Sequence, residues 1–455
     1  MSRYQKTLFI FRRDLRLEDN TALIAALENS ASVIPCFIVD PRQVGDQPYR
    51  SDTCLEFMSE SLQDLDQQLK AAGSCLYLFE GKAGSVVEEL IKVERIEAVY
   101  FNQDYTPFSR TRDEQIAKRC MQANIPLVTF HDVMLNPPQA VLKNDGGVYT
   151  VYTPYCRKAM TLPVAEPRVN RLKNYYQGTI KLQNRSFLDT RLKKVGLYPG
   201  GRQAARKILQ DMSLFKNYQQ ERDLPHLQAT SKLSPHHKFG TVSIREVYHA
   251  VRKALGVDHT LIRELYWRDF FTQIGYHFPH VLGQSFHKKF DAVKWEQHQK
   301  LFETWCEGRT GFPIVDAGMR ELNETGFMHN RVRMITASFL IKDLHIDWRL
   351  GEKYFATKLV DYDPLVNNGN WQWVASTGCD AQPYFRVFNP WLQQEKFDPQ
   401  ALYIRRWIPE LRSVSLKDIH HRDKTGSQIK DYPSPIVWHD EEKAKALRMY
   451  KVIQA

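Results

Sequence analysis

The 455 residues predict two unlike folds in one chain: an N-terminal α/β domain built on a parallel sheet, and a larger all-α C-terminal domain reached through a long connector. Three observations carry this. Short apolar runs alternate with helix-length amphipathic stretches in the first part, turn-rich sequence without a sustained period follows, and then strand-like alternation nearly vanishes while helical periods and tryptophans multiply. The boundaries fall at 1–135, 136–200 and 201–455.

Between Thr7 and about Asp132 the runs LFIF, VIPCFIV, CLYLF, AVYF and PLVTF are each separated by a helix-length segment, the pattern of parallel strands joined by crossover helices. One connecting helix is plain. Leu55, Met58, Leu62, Leu65 and Leu69 recur at helical spacing, Ser51 and Asp52 stand as caps, and Gly73 closes it. From Asn136 to about Gly200, NPPQ, NDGG and YPGG mark turns in the connector. Beyond Arg202 helical candidates run to about Val360, among them Ile262 to Ile274 and Arg331 to Leu344. The closing YPSPIVWHDEEKAKALRMYKVIQA predicts a short helix at most.

Composition narrows the function classes. Apolar residues make up 43% of the chain, enough for real cores, yet no apolar run approaches the roughly 20 residues of a membrane span. The N-terminus, with Arg3, Lys6, Arg12 and Arg13 around TLFIF, lacks the uncharged middle of a signal peptide. Seven scattered cysteines without a CxxC fit reduced thiols. A cytoplasmic protein with no membrane partner, acting as a monomer, is expected. The excess of 63 basic over 52 acidic residues, a formal charge of +11, raises the odds of a polyanionic partner. His277, His280 and His287, and the pairs His236–His237 and His420–His421, close no tetrahedral set with a cysteine, so no metal site is expected. GxGxxG, GxxxxGK[ST] and GxSxG are all absent, and the nicotinamide, NTP and serine-hydrolase readings lose support.

The unusual feature is aromatic. Trp267, Trp295, Trp348, Trp371 and Trp373, with Tyr266 and Tyr384, lie near Glu264, Asn330, Asp361, Asp363 and Asn367 in the C-terminal half. Each tryptophan alone would be read as core. As a set they suggest indoles that stack on nucleobases or give electrons to a photoexcited cofactor. In NNGNWQWVASTG (Asn367 to Gly378), Trp371 and Trp373 would share a face on a strand but point about 200° apart on a helix.

Six segments carry a resemblance: FIFRRDLRLEDNTAL (Phe9 to Leu23), TSKLSPHHKFGTVS (Thr230 to Ser243), ELYWRDFF (Glu264 to Phe271), FPIVDAGMREL (Phe312 to Leu322), GFMHNRVRMI (Gly326 to Ile335) and DYDPLVNNGNWQWVASTGCDAQPYFRVFNP (Asp361 to Pro390). In order and over nearly the whole chain, they resemble the photolyase/cryptochrome family, and most closely the class I cyclobutane pyrimidine dimer photolyases. The resemblance implies a Rossmann-like antenna-type domain, a connector, and a helical domain that binds FAD and the DNA lesion.

It also implies roles. Thr230, Ser231, Leu233 and Ser234 match the grip on the FAD diphosphate, with Tyr218 near the same cofactor site. Arg333 and Asp361 match an ion pair beside the isoalloxazine, Asp363 a contact to its polar edge, and Asn367 the amide next to flavin N5. Trp371, Trp348 and Trp295 match an electron relay leading outward. Glu264, Trp267, Asn330, Met334 and Trp373 match the dimer pocket, with Asn367 at its cofactor side. Arg222, Arg268, Arg331 and Arg386 match or neighbour phosphate contacts around a flipped-out lesion in damaged DNA.

Two rivals are weaker. A (6-4) photolyase would need a histidine where Asn330 follows His329, and a cryptochrome photoreceptor would usually add a C-terminal extension and change the pocket residues. Asn370 in place of a common glycine, Cys379 in place of a small or hydroxyl residue, and His237–Lys238 depart from the family pattern. NQDYTPFSRTRD (Asn102 to Asp113) resembles the antenna-side segment. It leaves a second chromophore, methenyltetrahydrofolate or a hydroxy-deazaflavin, unassigned.

Overall fold

The computed structural model describes residues 2–189, 197–227 and 229–454. They divide into two compact units: one holds the described residues within Met1–Lys194, Tyr198–Ser213 and Ser231–Pro279, the other those within Val195–Leu197, Leu214–Thr230 and His280–Ala455.

In the first unit, all five predicted runs become strands: β1 (Tyr4–Phe11), β2 (Ser30–Val39), β3 (Tyr77–Glu80), β4 (Ala98–Asn102) and β5 (Leu127–Phe130). They form one parallel sheet in the order β3-β2-β1-β4-β5, with Leu8 opposite both Ile34 and Val99. Consecutive residues such as Leu8, Phe9 and Ile10 are all buried. A strand covered on both faces therefore reads as an unbroken apolar run. The connections are helical: α1 (Thr21–Asn29), α2 (Asp52–Ala71), α3 (Ala83–Glu94) and α4 (Pro107–Gln122). In α2 the Ser51 hydroxyl accepts from the Cys54 N–H, Leu55, Leu62, Leu65 and Leu69 are buried, and Gly73 takes φ of 83° just past the end.

Among the further helices of the same unit are α5 (Tyr152–Ala159), α6 (Ile244–Leu255) and α7 (Thr260–His277). Helix α6 opens with a capping box between Ser243 and Glu246. Its Arg245 reaches Asp132 at 2.7 Å and Asp19 at 3.0 Å, and Asp132 also meets Arg16 at 2.5 Å. All four side chains are buried. Removing one partner of such a cluster strands a charge and costs about 3–5 kcal/mol. These pairs tie α6 to the segments that follow β1 and β5, and so the compact units do not follow the change of periodicity at Arg202.

The second unit is helical, with α8 (Pro313–Thr325), α9 (Asn330–Ser338), α10 (Trp348–Lys358), α11 (Pro364–Ala375) and α12 (His439–Gln454) among its elements. Its core gathers Ile314, Met319, Leu322, Val332, Ile335, Leu340, Trp348, Phe355 and Trp371. The helical stretch expected from Arg331 to Leu344 is α9 continued by a π-helical segment, Phe339–Asp343.

The C-terminus corrects an expectation. Helix α12 has 16 residues and is no short helix. Asp440, Glu441 and Glu442 occupy its first turn, where acids favour the positive end of the helix dipole. Ala446 and Tyr450 are buried, the Tyr450 hydroxyl donates to Ala375 O at 2.6 Å, and Lys342 Nζ lies 3.6 Å from the Tyr450 ring centre. The period was diluted in sequence because charged residues cover the exposed sides. Among the described residues no helix is long and apolar enough to cross a membrane.

Candidate functional site

Helix α7 of the first unit carries Glu264, Trp267 and Arg268 at three- and four-residue spacing, on one face. The Trp267 ring lies flat on Tyr152 of α5, with centroids 3.5 Å apart and planes at 8°. Arg268 turns inward: its guanidinium donates to Val133 O at 2.7 Å and meets Asp269 at 3.2 Å, leaving the side chain 13% exposed. Burial pushes the Asp269 carboxyl up to about 7, against the opposing pull of Arg268 and the Leu135 N–H. Ser231 is partly exposed, Leu233 is buried, and Ser234 starts a short helix, Ser234–Phe239.

The second unit carries the rest. Arg333 of α9 donates to Asp361 at 2.9 Å and to Met328 O at 2.7 Å, so the guanidinium is fixed from two sides. Asp363 caps α11 by accepting from the Leu365 and Val366 N–H groups. Pro364 at the first helical position removes a donor that would have no partner. One turn later, Asn367 Nδ2 donates to Glu352 Oε1 at 2.9 Å. This assigns the amide nitrogen to the carboxyl group and leaves the amide oxygen to accept an N–H from a ligand. With the Asn367 oxygen as acceptor and the Arg333 guanidinium as donor, these residues fit the polar edge of a flavin ring. Asn330 and Met334 come together on α9, with Nδ2 3.9 Å from sulfur. Arg331 pairs with Asp223 at 2.9 Å, Arg222 lies 5.9 Å from the Tyr218 ring centre, Thr230 is partly exposed, and Arg386 is exposed.

Glu352 was missed from sequence. It is buried on α10 beside Asn367, and burial pushes its carboxyl up to about 7 from an ordinary 4.5. The available signal was its spacing, since Trp348, Gly351, Glu352 and Phe355 form the buried face of α10, where an acid is out of place. The folded carboxyl keeps its proton to higher pH than the unfolded one, so folding takes up a proton and stability falls as pH rises from 4.5 to about 7. Glu352→Gln retains the oxygen that accepts from Asn367 and removes the charge. It should gain about 1–2 kcal/mol over the wild type at pH near 8 and only a small fraction of that at pH near 5. Denaturant titrations at both pH values check this; an equal gain at both would contradict it.

The two neighbouring indoles resolve on α11. Trp371 is buried and Trp373 is half-exposed, as two residues of a helix demand. Trp371 meets Phe355 at 4.9 Å and 80°. A Cβ on Gly351 of α10 would fall 2.2 Å from the Trp371 ring, so only glycine lets the two helices close here. Trp348 opens α10, and its Nε1 is buried with no acceptor among the described residues. Trp295 is half-buried and packs against Tyr450 at 6.3 Å. Glu296 beside it donates its N–H to His345 O at 2.9 Å, close in sequence to Trp348.

Two departures from the family pattern have local accounts. Asn370 is exposed and its amide donates to Val366 O at 2.8 Å. Cys379 is buried, and desolvation raises its pKa so that it stays a thiol. Among the described residues no three His, Cys, Asp or Glu side chains gather as metal ligands. His236 bonds Thr241 Oγ1, and His277 donates to Pro138 O.

Residues 7–169 match the family model for DNA photolyase, and 261–452 match the one for the FAD binding domain of DNA photolyase. The chain is 38% identical over 467 residues to the deoxyribodipyrimidine photo-lyase of Alkalihalophilus pseudofirmus, covering 97% of each protein. It is 38% identical over 471 residues to that of Escherichia coli, again covering 97% of each. A solved archaeal photolyase from Sulfolobus tokodaii, holding two FAD molecules, superposes with a TM-score of 0.89 at 43% identity over 98% of this chain and 100% of that one. A cryptochrome from Synechocystis superposes with a TM-score of 0.88 at a lower 28% identity, over 99% and 100% of the two chains. The parallel sheet, the helical unit and this end-to-end likeness agree, and the chain belongs to the DNA photolyase family.

Proposed function

We propose that the chain splits cyclobutane pyrimidine dimers in DNA under blue light. The observation that carries this reading is the end-to-end likeness to relatives whose names specify that reaction. Bound FAD in its reduced form would supply light-driven transfer of one electron to the dimer and its return after the two pyrimidines separate, with no net redox change. The chain's residues do the rest.

Asn367 would accept from the ring N–H, Arg333–Asp361 and Asp363 would hold the ring edge, and Thr230, Ser231, Leu233 and Ser234, with Tyr218, would hold the diphosphate. Trp371, Trp348 and Trp295 would carry electrons inward. Trp348 Nε1 is buried with no acceptor among the described residues and Trp295 is half-exposed, so an oxidised Trp295 would lose its proton to water more readily than Trp348. In the first unit Glu264 would bond a thymine carbonyl and Trp267 would stack on the ring; in the second, Asn330, Met334 and Trp373 would be lesion contacts as well.

Arg222, Arg268, Arg331 and Arg386 remain the proposed phosphate contacts, led by exposed Arg386 because Arg268 and Arg331 already engage Asp269 and Asp223. We assign 1–135 as the antenna-type domain, 136–200 as the connector and 201–455 as the flavin and lesion domain, with the second chromophore unassigned. All seven cysteines are free thiols. This fits a reducing compartment such as the cytoplasm.

The test is binding. A duplex with one thymine dimer should be held more tightly than the undamaged duplex, and both affinities should fall linearly with salt on logarithmic axes, as phosphate contacts require. Equal affinity for the two duplexes would contradict the reading.

A further inference from the structure

The geometry points to Tyr152 as a positioning residue that sets the plane of Trp267 for dimer recognition. This rests on the proposed role of Trp267 as the indole that stacks on the lesion. Tyr152 opens α5 in the turn-rich stretch between the sheet and the helices, where no role was expected. Its ring parallels the indole at 3.5 Å and 8°, close enough to count as full face-to-face contact. Its hydroxyl donates to Arg263 O at 2.7 Å, one helical turn before Trp267, so the tyrosine is anchored to the helix that carries the indole.

The other sides are closed as well. Phe270 sets its edge against both rings, at 5.8 Å from Tyr152 and 5.9 Å from Trp267, and Phe271 lies 5.7 Å from the indole. Trp267 nevertheless remains part-exposed. An exposed indole held in one orientation does not have to be immobilised when a base arrives, and that saving appears as affinity. A loose indole on an open helix face would lose it. Tyr152 acts through Trp267 and needs no contact with DNA.

The experiment uses flavin-loaded Tyr152→Leu, Tyr152→Met and Tyr152→Phe, each alone and combined with Trp267→Ala, titrated with dimer-containing and undamaged duplexes. Tyr152→Leu should weaken dimer binding about tenfold, the scale of one stacked base. Binding of undamaged duplex, flavin content and flavin photoreduction through Trp371 should not change. Tyr152→Phe keeps the flat face and should stay within about twofold, because the ring carries most of the contact. In the Trp267→Ala background, Tyr152→Leu should cost nothing further, as a coupled pair requires.

Unchanged or tighter dimer binding by Tyr152→Leu overturns the proposal, the second outcome meaning that the tyrosine blocks the indole. An equal loss with and without Trp267 also overturns it, since Tyr152 would then act elsewhere. If melting shows Tyr152→Leu unfolded, Tyr152→Met carries the same expectations, because it fills the space with a flexible chain and no flat face. A wild type that binds both duplexes alike overturns the photolyase reading itself, and this proposal falls with it; a discriminating wild type beside a Tyr152→Leu variant that discriminates equally well sinks the proposal alone.

Discussion

Trp371→Phe should slow light-driven reduction of the bound, oxidised flavin by at least about a hundredfold, a barrier increase of about 3 kcal/mol, while leaving dimer splitting by chemically reduced enzyme largely intact. Trp371 is buried on α11 between Gly351 and Phe355, and a benzene ring is much harder to oxidise than an indole. The smaller ring also leaves a void, so a stability loss of about 1–2 kcal/mol should accompany the change. Trp373→Phe on the opposite side of α11 should do the reverse, sparing photoreduction and weakening dimer binding. Flavin absorbance under blue light with an external reductant reads both variants. Normal photoreduction in Trp371→Phe would remove this residue from the relay.

Glu264 and Trp267 should fail in different ways. Trp267→Ala removes a stacking face and should weaken dimer binding about ten- to a hundredfold, the range for one lost base–aromatic stack. Glu264→Ala removes the carboxyl group proposed to contact the carbonyl oxygen that gains charge during splitting, and should lower the yield per absorbed photon by about tenfold or more. Glu264→Gln keeps a donor and should lose less. Binding titrations and repair yield, measured on the same preparations, separate the two. If both alanine variants bind and split the dimer like the wild type, the pocket does not lie on α7.

The strands were legible because a sheet covered on both faces writes itself as continuous apolar runs, and α2 because its leucines recur between a serine cap and a glycine. Pair contacts between distant residues leave no such trace. Arg245 meets Asp19 across 226 positions, and without that contact nothing in sequence says that α6 belongs to the unit that holds the sheet. The indole positions were legible through resemblance, but the environment of each was not. Glu352 carries no mark in the sequence beyond its place on the buried face of α10, and the partner of Trp267 lies in the segment assigned as connector. The C-terminal helix was underestimated because its buried face is narrow, with Ala446 and Tyr450 fully buried beneath charged neighbours.

The central claim is tested most directly by repair itself. Protein loaded with chemically reduced FAD is mixed with a duplex carrying one thymine cyclobutane dimer, illuminated with blue light, and the restored thymine is followed by chromatography beside a dark control. The account predicts restoration in the light only, through repeated turnovers with no net consumption of reductant. Flavin that photoreduces through Trp371 while the dimer stays intact would contradict it, leaving the fold and the electron relay without the lyase.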